Sequence, residues 1–340
     1  MMTVRGLGYA LSVSIAAALL ACCGPLPLTV RQAQGNGQNG MEPPMGSPGR
    51  AEWSTRGEQK ALLYVSSRGE GENGFVGIYS YPGARRVSML SNLGSPEGLC
   101  VDKSGDLYVA DIGPPGHGFR ILEYVRGAPL RREIQERNEG PYGCAIDPAT
   151  GNLAVTNNGG YQGSNVSVYL RARGTAQQFF DSAMKTMYFC GYDDHGNLYV
   201  DGETNFSGIE VAELPKGGKN LVNIGLSESI GTLPGGVQWD GEYLAVGGNA
   251  LGTREEVIYR IAVRGSSGTV IGSVPLTQSV QSDSQFWIEG STVIAPSFRA
   301  RRPRTASVGF YPYPAGGSPT KIITHRLNAP LGVAVIRPSQ

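Results

Sequence analysis

The sequence predicts an all-β chain folded as a six-bladed β-propeller with four strands in each blade, because one phrase recurs at a nearly constant spacing. Each copy has an apolar run, a tight turn containing glycine, and a second apolar run; the first copy, SPEGLCVDKSGDLYVAD, occupies 95–111. The turn glycines of the five copies are separated by 46, 45, 45 and 49 residues: Gly105, Gly151, Gly196, Gly241 and Gly290. A period near 45 residues with no helical pattern inside it is typical of propeller blades.

A second series of segments, half a period later, supports the same fold. These six segments are short and rich in β-branched and aromatic residues, as strands are, and their starts are 45, 45, 43, 48 and 51 residues apart. They occupy 76–82, 121–127, 166–172, 209–215, 257–263 and 308–314.

The sixth copy of the first phrase is divided between the two ends of the repeat region. Residues 329–336 (APLGVAVI) supply its first apolar run, and residues 61–67 (ALLYVSS) supply its second. We therefore expect the N- and C-terminal segments to pair in one blade, which closes the ring and removes the open strand edges.

An aspartate begins the turn in four of the copies. These residues are Asp102, Asp147, Asp193 and Asp240. Aspartate side chains commonly accept hydrogen bonds from backbone amides in tight turns, so we interpret them as structural caps. Calcium binding is the alternative, but the acidic residues are few and do not recur at the spacing of a calcium loop.

The amino terminus predicts export. Residues 1–21 contain one early charge, Arg5, and an apolar stretch from Leu7 to Ala21 that is too short to span a bilayer and is typical of a signal peptide. Residues 19–22 (LLAC) resemble the lipobox of bacterial lipoproteins, which implies lipidation of Cys22. Ordinary secretion with cleavage after Ala21 is the alternative. We expect the protein in the bacterial cell envelope, anchored by lipid at the outer membrane or in the periplasm, or else secreted.

Composition defines the remaining domain boundaries and limits the classes of binding partner that we expect. Residues 22–58 read as the lipidated cysteine followed by a flexible linker rich in Gly, Pro, Gln and Asn, and residues 59–338 as one propeller domain.

The net charge is +1, whereas a nucleic-acid-binding domain usually carries a basic face. The basic run at 299–304 (RARRPR) is interpreted as a solvated loop, with an anionic contact as the minority alternative. We expect a monomer with no nucleic-acid partner and with the membrane contacted through the lipid.

Three cysteines fall within the repeats, each on a predicted innermost strand. Cys100, Cys144 and Cys190 stand two or three residues before the aspartate of the following turn. Export permits disulfides, but an odd number leaves at least one thiol free, and we favour buried thiols over a bridge. If a bridge forms, Cys144 and Cys190 are the pair to test, since they occupy equivalent positions in adjacent copies. No Cys or His spacing in the sequence supports zinc.

Function is expected at one mouth of the central channel, where the innermost strands begin and the second strands end. Polar and aromatic residues recur at these places, and our ligand-binding candidates are Glu97, Asp111, Tyr142, Asn157, Asp201 and Asn249. We expect Asp111, Asn157 and Asp201 to stand at the same place in three successive blades. Turn-forming Asp and Asn without a ligand are an equally good explanation.

The phrases PEGLCVDKSGDLYVAD and PYGCAIDPATGNLAVT resemble the NHL-type six-bladed propellers and the related gluconolactonase/senescence-marker-protein family. The resemblance implies the propeller fold over 61–336. In the lactonases it implies a divalent metal held by acidic and amide side chains, several of them from the position between Pro and Gly of the repeat. In this chain that position is Glu97, Tyr142, Gly235 and Leu331, of which only Glu97 can serve as a ligand.

Two functional hypotheses follow. The first is a non-catalytic binding module at the cell envelope, with an envelope protein or glycan as its partner and no cofactor. The second is a metal-dependent hydrolase of the lactonase type, with Glu97, Asp111, Asn157 and Asp201 as displaced ligands of a divalent cation. The sequence identifies no catalytic residue, because it contains no Gly-x-Ser-x-Gly elbow, no HExxH motif and no phosphate loop.

Overall fold

Six sheets arranged in a ring form the folded part of the chain, as the computed structural model shows. It describes residues 60–69, 73–136, 140–160, 163–204, 208–250, 252–253, 255–279, 284–299 and 305–338. The expected signal peptide, Cys22, the linker to residue 58 and most of the basic run at 299–304 lie outside the described residues.

The first three blades each contain four antiparallel strands, which follow one another from the channel outwards. Blade 1 consists of β25 (Pro330–Ile336), β1 (Leu62–Ser67), β2 (Gly74–Ser80) and β3 (Arg86–Leu93). Blade 2 consists of β4 (Ser95–Val101), β5 (Leu107–Ile112), β6 (Phe119–Tyr124) and β7 (Leu130–Glu136). Blade 3 consists of β8 (Pro141–Ile146), β9 (Leu153–Gly160), β10 (Gly163–Tyr169) and β11 (Gln177–Phe179).

The other three blades follow the same plan, with one added strand. Blade 4 consists of β12 (Thr186–Tyr192), β13 (Leu198–Glu203), β14 (Ile209–Leu214) and β15 (Val222–Asn223). Blade 5 consists of β17 (Val237–Trp239), β18 (Leu244–Asn249), β19 (Glu256–Arg264) and β20 (Ser267–Leu276), and β16 (Gly225–Leu226) pairs in parallel with β20. Blade 6 consists of β21 (Trp287–Glu289), β22 (Thr292–Arg299), β23 (Thr305–Pro312) and β24 (Lys321–Ile323).

Helix is confined to two single 3₁₀ turns in the described part of the chain, Val125–Gly127 and Leu170–Ala172. Accordingly, none of the described helices has the length and apolar character needed to cross a membrane.

The predicted ring closure is confirmed. β25 and β1 pair antiparallel, with Leu62 opposite Ile336 and Tyr64 opposite Ala334. The innermost strand of blade 1 therefore comes from the C-terminal segment and its other three strands from the N-terminal one. This pairing joins residues more than 260 positions apart, so the two ends hold the ring shut.

The core consists of six apolar clusters, one in each space between neighbouring blades. Between blades 1 and 2, for example, Tyr64 and Ile78 pack against Leu99 and Leu107, and none of these side chains is more than 1% exposed. Burying each such side chain contributes about 1.5–3 kcal/mol. Because both faces of every blade are apolar, a single blade cannot be stable alone and each needs its two neighbours.

The glycine of the Pro-x-Gly phrase is required by the close approach of innermost strands around the channel. A Cβ atom added at any of four such glycines would lie 2.4–2.8 Å from a backbone atom of the next blade: Gly98, Gly143, Gly236 and Gly332. The repeated glycine therefore marks where adjacent blades meet backbone to backbone.

The turn aspartates cap their hairpins, as the sequence indicated. Asp102 Oδ1 accepts hydrogen bonds from the backbone N–H of Ser104 at 2.8 Å and of Asp106 at 2.9 Å. The other three aspartates make the same contact with the amide two residues ahead, at 2.8–2.9 Å: Asp147, Asp193 and Asp240. Structural capping explains their recurrence.

A disulfide joins Cys100 to Cys144, whose Cα atoms are 5.7 Å apart, and Cys190 is a buried free thiol. The expectation of unbridged thiols and the choice of Cys144 and Cys190 as the pair are both wrong. Side chains alternate along a strand, and Cys144 and Cys190, each three residues before the turn aspartate, face the preceding blade. Their sulfurs accordingly lie 3.9 Å from the carbonyl oxygen of Tyr108 and 4.0 Å from that of Ala154. Cys100, two residues before its aspartate, faces forward and meets Cys144.

Candidate functional site

We call the mouth the end of the ring where β4, β8 and β12 begin and where β5, β9 and β13 end. A hydroxyl near the end of a second strand ties neighbouring blades together there. Ser66 Oγ accepts a hydrogen bond from the backbone N–H of Gly332 in its own blade at 2.7 Å and donates one to the carbonyl oxygen of Glu97 in the next blade at 2.6 Å. Thr156 Oγ1 makes the same pair of bonds in blade 3, at 2.9 and 2.6 Å.

Asp201 occupies the corresponding place in blade 4. Its Oδ1 accepts a hydrogen bond from the backbone N–H of Phe189 at 2.7 Å, but its Oδ2 is buried and has no partner among the described residues. When Asp201 is ionised, its carboxylate has no proton to donate and cannot form the second bond that Ser66 and Thr156 make. Burial raises the pKa of Asp201 well above its ordinary value, and the hydrogen bond from Phe189 opposes this rise.

The expectation that Asp111, Asn157 and Asp201 share one position is wrong. In blades 2, 3 and 4 the second strand begins with a leucine that pairs with the last residue of the innermost strand. These leucines are Leu107, Leu153 and Leu198. Counting from these leucines, Asp111 and Asn157 are four residues on, whereas Asp201 is three residues on. Because alternate side chains point to opposite faces of a sheet, Asp201 points away from the preceding blade and the other two point towards it.

Asp111 is part of a buried ion pair. It is 0% exposed, its Oδ2 accepts a hydrogen bond from Arg120 Nε at 3.0 Å, and the same oxygen forms an ion pair with Arg120 Nη2 at 2.9 Å. Its Oδ1 accepts a bond from the backbone N–H of Gly94, in the connection from blade 1. Desolvation raises the pKa of the Asp111 carboxyl, and the Arg120 guanidinium opposes that rise. Asp111 is therefore occupied in holding blade 2 to its neighbour.

Asn157 and Asn249 also have structural partners. Asn157 Nδ2 donates to Asn165 Oδ1 at 3.1 Å and to Ser167 Oγ at 3.0 Å, while its own Oδ1 is buried without a partner in the described part of the chain. Asn249 Oδ1 accepts bonds from the backbone N–H groups of Thr232 and Leu233, both at 2.9 Å, which caps the loop before blade 5.

Glu97 and Tyr142 belong to a chain of charged and aromatic side chains across the mouth, which we call the mouth cluster (Arg68, Glu97, Tyr142, Tyr188 and Glu203). Arg68 Nε donates to Glu97 Oε2 at 2.9 Å, and Arg68 Nη2 donates to Tyr142 Oη at 3.2 Å. The rings of Tyr142 and Tyr188 meet edge to face at 5.3 Å, and Tyr188 Oη donates to Glu203 Oε1 at 3.0 Å. Side chains from blades 1 to 4 are thereby linked in one row.

Exposure within the mouth cluster is uneven. The Arg68 side chain is 33% exposed, and Tyr188 is half-buried, whereas Glu97 and Glu203 are each 2% exposed. Glu203 Oε2 is buried and has no partner among the described residues. In the mouth cluster the guanidinium of Arg68 and the phenol of Tyr188 are therefore partly exposed to solvent, whereas the carboxylates are buried.

Arg68 and Tyr188 are members of this site that the sequence did not predict. Tyr188 stands five residues before its turn aspartate, as Glu97 and Tyr142 do before theirs, so a count back from Asp193 would have found it. The signal was hidden because blade 4 has Met and Phe where blades 1, 2, 3 and 5 have Pro and Gly. Arg68 had no such signal, since its partners come from other blades.

The candidate ligands do not fit a shared metal ion. The carboxylates of Glu97 and Asp111 are each held by an arginine, and Asn157 and Asp201 point to opposite faces of their blades. Within the described ranges, no group of three or more His, Cys, Asp or Glu side chains is arranged to hold a metal.

Fold and site together define a six-bladed β-propeller whose mouth carries a cluster of arginine, tyrosine and glutamate side chains. Residues 93–122, which span the end of blade 1 and most of blade 2, match the NHL repeat. None of the curated protein sequences matches the chain.

Solved structures show the same fold at low sequence identity. A chain in the crystal structure of a nidogen/laminin complex is similar with a TM-score of 0.62 and 15% identity, over 82% of this chain and 99% of that one. A protein of unknown function from Bacteroides caccae gives 0.60 and 14%, over 82% and 100%. TolB from Acinetobacter baumannii gives 0.55 and 10%, over 81% and 66%. At these identities the similarity shows the fold alone.

Proposed function

We propose that the protein is an exported, lipid-anchored propeller that binds another protein of the cell envelope through its mouth and has no catalytic role. The observation that carries this proposal is the mouth cluster. Arg68, Tyr142 and Tyr188 come from three different blades and are held in one row by hydrogen bonds and ring contacts. Arginine and tyrosine are enriched at the centres of protein interfaces, and side chains already held in place lose little entropy on binding.

The similarity to a propeller in a nidogen/laminin complex supports a protein as the partner, since that structure is a complex of two proteins. The disulfide between Cys100 and Cys144 supports export, because such bonds persist in oxidising compartments and are rare in the cytosol. The LLAC phrase at 19–22 supports lipidation of Cys22.

Co-purification from envelope extracts tests the binding role. Arg68→Gln keeps a donor for Glu97 but removes the exposed cation, so we expect it to lose the partners that the wild-type chain retains. The matched control is His195→Ala, in the turn between β12 and β13 at the opposite end of the ring, where the side chain is 81% exposed. Partners retained by Arg68→Gln, or lost equally by both variants, would contradict a binding face at the mouth. A partner released by glycosidase treatment would identify a glycan instead of a protein.

The lactonase hypothesis makes the opposite prediction about metal. It requires a stoichiometric divalent ion that Asp111→Ala and Asp201→Ala reduce. We expect elemental analysis of the purified protein to find no stoichiometric divalent ion, and chelator to leave the melting temperature unchanged. A stoichiometric ion lost in Asp201→Ala would overturn the non-catalytic assignment.

A further inference from the structure

A second candidate site lies on the side of the ring, away from the mouth cluster. A cavity of about 320 Å³ opens between the outer parts of blades 6 and 1, within the range of small-molecule sites. Its walls are Tyr79, Ala84 and Arg86 of blade 1 and the segment 322–326 at the end of blade 6.

Tyr79 lines this cavity and carries a buried hydroxyl. The residue is 1% exposed, and its hydroxyl has no hydrogen-bond partner among the described residues. Buried tyrosine hydroxyls usually form a hydrogen bond, because leaving a buried donor without one costs about 1–3 kcal/mol. Burial raises the pKa of Tyr79, so the phenol keeps its proton and can donate it to an acceptor.

The cavity is also positively charged. Arg86 stands on one wall and Arg326 on the other, and the positive charge of each opposes the rise in the pKa of Tyr79. Neither arginine forms an ion pair with a carboxylate in the described part of the chain; Arg86 contacts the sulfur of Met89 at 2.9 Å and the ring of Phe75 at 5.5 Å. The guanidinium of Arg326 projects from a residue with a positive φ of 56°, a conformation that is uncommon outside glycine.

Part of the remaining wall is apolar, although Thr324 and His325 also line the cavity. Ile322 is 46% exposed at the cavity, and Ala84 and Ile323 complete this side. An inorganic anion would leave these groups against water, whereas an organic anion would cover them.

A larger cleft on the same protein differs from this cavity in the pairing of its arginine and tyrosine. It measures about 700 Å³ between the outer strands of blades 2 and 3. Its arginine, Arg132, is paired with Glu123, and its tyrosine, Tyr169, donates to Glu136 at 2.6 Å. Because its polar groups are already bonded within the protein, it has no comparable demand for a ligand.

We propose that the cavity between blades 6 and 1 binds a small organic anion. Its carboxylate or phosphate group would accept hydrogen bonds from Arg86, Arg326 and the Tyr79 hydroxyl, and its apolar portion would lie against Ile322. Guanidinium groups match both anions in geometry, so the chemistry of the head group is left to the test.

Titration calorimetry with benzoate and phenyl phosphate, and with acetate and inorganic phosphate for comparison, tests this site. We expect saturable binding of one of the two aromatic anions, several-fold tighter than binding of its inorganic or short-chain counterpart. Arg86→Gln and Arg326→Gln should each weaken binding by roughly tenfold or more. The matched control is Arg85→Gln, an exposed neighbour that does not line the cavity and should bind as the wild type does.

Tyr79→Phe separates a ligand-binding role from a structural one. It removes only the unpartnered hydroxyl, so the melting temperature of the free protein should stay the same or rise while the affinity for the anion falls. Absence of saturable binding by the wild type at millimolar concentrations would overturn the proposal. So would an equal loss in Arg85→Gln and Arg326→Gln, which would show attraction by net charge alone. Arg326 is exposed, so its variant remains informative if Arg86→Gln folds poorly.

Discussion

Cys100 and Cys144 face each other across the boundary between blades 2 and 3, and their disulfide ties two innermost strands together. The bond closes a loop with a sequence separation of 44. Replacing both residues by alanine should therefore lower the free energy of unfolding by about 2–4 kcal/mol, measured by denaturant titration.

Peptide mapping without reduction checks the connectivity directly. We expect a peptide containing Cys100 linked to one containing Cys144, and Cys190 alkylated only after unfolding, because its thiol is buried. A link between Cys144 and Cys190 would contradict the structure. Cys190→Ala is the control, and it should leave the linked peptide intact.

Gly143→Ala should destabilise the ring. The new methyl carbon would lie 2.6 Å from the carbonyl oxygen of Tyr188 and 2.8 Å from Thr156 Oγ1, so the innermost strands of blades 3 and 4 must separate. We expect a loss of about 1–3 kcal/mol in the free energy of unfolding. Gly272→Ala is the matched control: no atom lies within 4 Å of its added Cβ, so its stability should be unchanged or slightly higher. Equal losses in the two variants would show that close strand packing is not the cause.

Asp201→Asn should stabilise the protein at neutral pH. The pKa of Asp201 is raised in the folded state, so the folded protein holds this proton more tightly than the unfolded chain does. The resulting stabilisation is complete at acid pH, below the pKa of the unfolded state, and is lost as the pH rises through the pKa of the folded state. Asparagine keeps the acceptor for Phe189 and carries no charge, so the variant should not show this decline. We expect a gain of about 1–3 kcal/mol at pH 7 in denaturant titrations run across pH.

Asp111→Asn is the contrasting case for that measurement. Arg120 is 6% exposed, and neutralising its closest carboxylate leaves this charge with only the partly exposed carboxylate of Glu133, at 3.2 Å. The free energy of unfolding should fall by about 3 kcal/mol or more. If the free energy of unfolding changes in the same direction in Asp201→Asn and Asp111→Asn, the presence or absence of a paired arginine does not explain the effect of either substitution.

Cys22→Ala should move the protein from the membrane fraction to the soluble fraction of cells. Lipid attachment at this residue is expected from the LLAC phrase, and losing it removes the anchor. Cys23→Ala is the matched control and should leave the protein with the membrane. Membrane association that survives Cys22→Ala argues for another mode of attachment, whereas a wild-type protein found only in the soluble fraction argues for ordinary secretion.

Much of this architecture could be read from local sequence. The divided repeat predicted that 329–336 and 61–67 would share a blade, and β25 pairs with β1 as expected. Two predictions were wrong although the sequence held the signal needed to correct them: the pairing of the cysteines and the shared position of Asp111, Asn157 and Asp201. Cys100 differs by one residue from Cys144 in its distance to the turn, and Asp201 differs by one from Asp111 and Asn157, so in each case alternation along the strand reverses the face.

By itself the sequence determined the repeat, the strands, the turn caps and the closure of the ring, because each of these depends on residues close together in the chain or on a period. Only the tertiary structure decided which side chains meet between blades. Arg68 with Glu97 and Tyr142 in the mouth cluster and Arg326 near Tyr79 in the side cavity each join residues that are distant in the chain. Those contacts depend on how the blades stack, and no local pattern encodes that geometry.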